Sequence, residues 1–157
     1  MKDNIVKIFT AISVCLIIGF MSGFATQSSI NDWYVSLNKP SFNPPNEIFG
    51  PVWVVLYVMM GIAAGLVWQR GFYHKWVKTA LYHFGFQLLL NGMWSITFFG
   101  LRKPFIGLLV IIALIVMIIL TIRWFKVVDK RAAYLMYPYL AWVLFATILN
   151  FSIWQLN

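Results

Sequence analysis

The chemistry this sequence can do rests on a few polar side chains set among aromatic ones. His83, Gln87, Asn91, Trp94 and Phe98 follow one another at intervals of 4, 4, 3 and 4 residues, which places all five on one face of a helix. Tyr139, Trp142, Ala146 and Asn150, at intervals of 3, 4 and 4, form a second stripe, and Trp53 and Tyr57 stand one turn apart in a third segment. Large flat rings beside a few amide and hydroxyl groups suit a small, planar, mostly apolar ligand. The same polar groups also suit bonding between helices, worth ~0.6–2 kcal/mol each. The residues alone leave both readings open.

Catalysis has little to draw on. The four acids, Asp3, Asp32, Glu47 and Asp129, fall in end segments or near helix ends. No paired carboxylate stands at depth, and no nucleophile, base and acid are grouped. His74 and His83 lack zinc-ligand spacing; His83 reads as a satisfied polar residue rather than a haem ligand. The single cysteine, Cys15, excludes an internal disulfide. No metal and no cofactor are expected. The lack of a charged residue at mid-span argues against an ion-coupled pump.

The elements that must hold these stripes follow from composition. Hydrophobic residues make up 62% of the 157 and charged residues 10%, against ~45–50% and ~25% in a soluble domain. A soluble core of this size could not hide so much apolar surface, and a mean hydropathy of +0.82 agrees. The expected fold is all-α, an integral membrane bundle of five transmembrane helices forming a single domain over residues 1–157. A span needs ~20 mostly apolar residues, and segments 5–26, 45–68, 77–99, 105–125 and 132–154 each supply them. The first is longer than the ~7–15 residues of a signal-peptide core and is read as a retained helix. The fourth has almost no polar atom and reads as a wall facing lipid or a partner.

Net charge is +8, but the basic residues sit in short connections, so they report topology rather than nucleic-acid binding. Lys2, Lys7, Arg70, Lys75, Lys78, Arg123, Lys126, Lys130 and Arg131 fall on one side, against Lys39, Arg102 and Lys103 on the other. The positive-inside rule then puts the N-terminus in the cytoplasm and the C-terminus outside. Residues 27–44 become an external loop, rich in proline and aromatics, that serves either as a stiff connector or as a lid. Asn43 is expected to cap the second helix, with Pro44 at its first helical position. Ala11, Cys15, Gly19 and Gly23, and again Gly61 and Gly65, repeat at four-residue spacing. Such spacing lets helices approach closely, within the chain or across a homodimer.

These residues resemble a known family. Trp33-Tyr34, followed by Leu37-Asn38-Lys39-Pro40-Ser41-Phe42-Asn43-Pro44-Pro45, is similar to the first loop of the translocator proteins, or tryptophan-rich sensory proteins. Pro51-Val52-Trp53 with Leu56-Tyr57 resembles the family's second helix. Gln87, Asn91, Trp94-Ser95 and Phe98-Phe99 resemble its third, and Pro138 to Trp142 with Phe145 to Asn150 its fifth. The resemblance implies a five-helix bundle, often dimeric, in a membrane, here the bacterial plasma membrane. It implies a receptor or carrier for porphyrins such as protoporphyrin IX, with light-dependent porphyrin breakdown proposed for some bacterial members. The implied pocket falls on Trp53, Tyr57, Asn91, Trp94, Trp142, Ala146 and Asn150. Trp33 and Tyr34 are lid candidates, and Lys39, Arg102 and Lys103 are candidates to meet propionates. Phe42 stands where many members carry Trp. Phe151 stands where the sterol motif of the animal members has Tyr, and Gln155 supplies no basic end to that motif, so sterol binding through it is not expected.

Overall fold

The computed structural model describes residues 1–157. Five helices follow in order: α1 over Lys2–Asn31, α2 over Asn46–Trp68, α3 over Lys75–Ser95, α4 over Pro104–Val128 and α5 over Lys130–Leu156. There is no strand. Four of them, α1, α2, α4 and α5, are long and apolar enough to cross a membrane by length and composition. In α3 the two lysines and the polar stripe dilute the apolar run.

The expected boundaries shift in three places. α1 continues to Asn31 rather than ending near residue 26, because Gln27 to Ser29 are polar without being helix breakers. α2 begins at Asn46 with Pro45 as its N-cap. Asn43 does not cap it; its side chain accepts from Tyr34 Oη at 3.0 Å instead. α4 and α5 are separated by Asp129 alone, whose extended backbone (φ −156°) breaks the helix and whose Oδ1 accepts from Arg131 N at 3.0 Å.

α3 does not stop at Ser95 but widens into a π-helical turn over Ile96–Gly100. Leu101 N bonds to Ile96 O at 2.8 Å, and Arg102 then turns into the left-handed region with φ 57°, at a cost of ~1–2 kcal/mol for a residue with a Cβ. A wide turn of this kind rotates the side chains that follow it, and it carries Phe98 and Phe99 towards the bundle interior. At the other end, Gly71 takes φ +106° in the α2–α3 turn, a conformation open to glycine.

The small residues are spent within the chain. α1 lies on α2, with Ile12 over Gly61 and Ile8 over Gly65; a Cβ on Gly65 would lie 2.6 Å from Ile8 Cα. Gly19 makes room for the ring of Tyr57. Beyond this seam α2, α4 and α5 bury Met60, Ala63, Leu114, Ile118, Phe125, Ala132 and Met136. α4 combines this buried face with exposed Leu109, Ile112, Val116 and Ile119 on the other.

The connections sort to two ends. At one, Gln69 Nε2 donates to Asn4 O at 2.9 Å, and Arg70 and Arg131 both reach Asp129 Oδ2 at 3.0 Å. Their guanidinium groups, Arg131 foremost, hold the buried Asp129 carboxyl at about 2. At the other, Asn38 N donates to Asn157 Oδ1 at 3.1 Å, and Arg102 lies 3.6 Å from Asp32. Successive helices therefore run up and down.

Candidate functional site

A cavity of about 630 Å³ lies between the helices at the end that carries the 32–45 loop. All of Trp53, Tyr57, Asn91, Trp94, Trp142, Ala146 and Asn150 line it. The 3.6-residue period brings them together: Trp53 and Tyr57 share a face of α2, Asn91 and Trp94 a face of α3, and the last three a face of α5.

The rings form its walls. Trp53 is the hub, stacked on Tyr57 at 5.6 Å between centroids and tilted against Trp94 at 6.2 Å. Trp94 stacks in turn on Phe98 at 5.8 Å. Across the cavity Trp142 packs edge-on against Phe49 at 6.0 Å and beside Phe145 at 5.5 Å. Each such contact is worth ~0.5–1.5 kcal/mol beyond area burial.

The amides are spent differently from the rings. Asn91 accepts from Tyr57 Oη at 2.6 Å and donates to Tyr139 Oη at 2.9 Å, which donates onward to Gln87 Oε1 at 2.7 Å. Asn150 accepts from Trp94 Nε1 at 3.0 Å and donates to the Pro104 carbonyl at 2.7 Å. These two networks tie α2, α3, α4 and α5 together and hold Trp94 in place. Amide glue and aromatic walls thus coexist in one set of residues. One donor has no protein partner: Trp142 Nε1 is buried and unbonded.

The loop candidates separate. Tyr34 lines the cavity, whereas Trp33, Lys39, Arg102 and Lys103 do not. Trp33 sits edge-on to Phe98 at 5.8 Å from outside the lining. Lys39 Nζ lies 4.9 Å from the Tyr34 ring centre and donates to the carbonyls of Tyr34, Val35 and Leu37. Its three protons hold the loop together, so it has none left for an acid. Arg102 is half-exposed beside Ser29 and Asp32, and Lys103 is exposed.

Sequence reasoning missed the α1 wall, Leu16, Gly19, Gly23 and Gln27 among others, and also Phe49 and Phe99. α1 carried a signal of its own: Phe20, Phe24 and Gln27 stand at intervals of 4 and 3 on one helix face, beside the run of small residues that mark both the seam and the open face. Phe99 enters through the π-helical turn, which no periodicity shows.

Fold and site together define a helical membrane protein with an aromatic-walled cavity inside its bundle. The chain belongs to the TspO/MBR family, whose model matches residues 11–155. It is 45% identical to the tryptophan-rich protein TspO of Archaeoglobus fulgidus over 155 residues, 98% of this chain and 99% of that one. It is 42% identical to the human translocator protein over 130 residues, 80% of this chain and 75% of the other. A tryptophan-rich sensory protein of Cereibacter sphaeroides is 35% identical over 127 residues, 81% and 78% of the two chains. The chain is accordingly an integral membrane protein.

Proposed function

We propose that this protein is a membrane receptor or carrier for a planar hydrophobic ligand, a porphyrin such as protoporphyrin IX, held in the cavity between its helices. The observation that carries the reading is the convergence of Trp53, Trp94 and Trp142, from three helices, on one space of about 630 Å³, within the ~300–1,000 Å³ of small-molecule sites. The rings supply flat apolar walls. With Lys39 committed to the loop, Arg102 and Lys103 are the basic groups at that end left to attract propionates. Such exposed pairs are worth ~0–1 kcal/mol.

Titration of purified protein with protoporphyrin IX tests this. Saturable quenching of tryptophan fluorescence is expected; its absence refutes binding. Illumination of the complex addresses the second reading, light-driven porphyrin breakdown, which the three indoles around one cavity favour. A porphyrin spectrum that bleaches only with protein present, and for more than one porphyrin per protein, would make the protein an enzyme.

In the bacterial plasma membrane read for this protein, the nine-to-three split of Lys and Arg between the two ends supports a cytoplasmic N-terminus, with the loop and C-terminus outside. In a Cys15→Ser background, Asn31→Cys at the exposed end of α1 should react with an impermeant thiol reagent on intact cells. Labelling only after lysis would reverse the orientation.

A further inference from the structure

The cavity closes unevenly. Every exposed residue that lines it belongs to α1 or α2, among them Phe20, Gly23 and Phe24 on one and Asn46, Gly50 and Val54 on the other. Phe24 is 84% exposed and Phe20 61%. The lining residues of α3, α5 and the loop are buried or half-buried. The α1–α2 seam explains the difference. It is zipped where Ile8 and Ile12 lie on Gly65 and Gly61, and it stays closed as far as Gly19 against Tyr57. Beyond that point it opens: a Cβ added at Gly23 or Gly50 would meet nothing within 4 Å.

The loop over the cavity is fastened instead. Lys39 bridges three loop carbonyls, Tyr34 bonds to Asn43 at 3.0 Å, and Asn157 Nδ2 donates to Asn38 O at 2.9 Å while its Oδ1 accepts from Asn38 N. The Lys39 and Tyr34 bonds keep the loop in one piece, so lifting it would break the Asn38–Asn157 pair of bonds to the end of α5, whereas no bond bridges Phe20–Phe24 to Gly50–Val54. Both of those segments lie in apolar helix, so the gap faces hydrocarbon. A flat apolar ligand is itself driven from water into hydrocarbon.

We infer that the ligand passes sideways between bilayer and cavity, through a portal bounded by Phe20–Phe24 of α1 and Gly50–Val54 of α2, while the loop stays shut. This rests on the binding reading above and narrows its ligand class to molecules that dissolve in the bilayer and travel there with their charged groups at its surface.

Two sets of variants in lipid vesicles, all in a Cys15→Ser background, test the route. Asn38→Cys with Asn157→Cys allows a disulfide that locks the loop, with the reduced form as its own control. Gly23→Phe and Gly50→Phe place a ring in the gap, where there is room for it. Protoporphyrin IX dissolved in the vesicles is the probe, and the rate of tryptophan quenching is the readout. The portal predicts that oxidation leaves the association rate within twofold of the reduced form, and that each Phe variant, shown folded by its melting curve, slows it tenfold or more. Loss of association on oxidation, or Phe variants that bind as fast as the parent, would overturn it. Failure of the binding reading looks different: the parent protein itself would then show no saturable quenching.

Discussion

The indole nitrogen of Trp94 donates to Asn150 Oδ1 at 3.0 Å, and Asn150 passes the connection to the Pro104 carbonyl at 2.7 Å. One buried amide therefore positions a cavity wall on α3, fixes it to α5, and satisfies a carbonyl of the first turn of α4.

Asn150→Ala leaves the Trp94 N–H and the Pro104 carbonyl without this partner. An unsatisfied buried polar group costs ~1–3 kcal/mol, so the melting temperature should fall by several degrees. Affinity for protoporphyrin IX per folded molecule should fall less than threefold, because the rings remain. Thermal melting beside porphyrin titration checks both; an unchanged melting temperature would show that the bridge carries no weight.

Gly61→Leu drives a side chain into the backbone of Ile12. Backbone cannot give way as a side-chain tip can, so α1 must lift from α2, and the variant should lose its monodisperse elution in detergent. Gly23→Ala faces open space and should elute and melt like the parent. Equal behaviour of the two variants would contradict the seam.

Asp129 supports a pH prediction. Its carboxyl is held at about 2, below the ordinary 3.8, by Arg131 and Arg70. A depressed folded-state pKa gives stability that is full above about pH 4 and lost as pH falls towards 2. Since the two arginine side chains are 53% and 68% exposed, solvent screening brings the contribution to the order of 1 kcal/mol. Asp129→Asn should melt lower than the parent at pH 7, and the gap should narrow between pH 4 and pH 2. A gap constant with pH would dismiss the ion pairs as its source.

Much of this architecture was legible in the residues because a membrane leaves few alternatives. Long apolar runs must be helices there, and polar side chains in them must turn inward. That is why the stripes on α2, α3 and α5 pointed inward; the family resemblance then picked out seven residues on these helices, all of which line one cavity. What escaped were features that depend on local hydrogen-bond competition. Asn43 had a cap's composition but bonds to Tyr34, and Lys39 had a free charge's composition but bonds to three carbonyls. The π-helical turn at Ile96–Gly100 breaks the periodicity on which stripe reading relies. The α1 wall escaped because Phe20, Phe24 and Gln27 fit a helix facing lipid and its interface as well as one facing a cavity, and because a glycine that packs a seam and one that leaves a gap are the same letter.

Trp142→Ala tests the central claim most directly. Its indole N–H has no protein partner, so its removal orphans no group in the protein and chiefly takes away a cavity wall. Trp68, at the far end of α2 and outside the cavity, is the control. Protoporphyrin IX should bind Trp142→Ala about tenfold or more weakly than the parent, a loss of ~1.4 kcal/mol or more, and Trp68→Ala within twofold of it, each measured per folded molecule. If Trp142→Ala binds as tightly as Trp68→Ala, the cavity is not the porphyrin site.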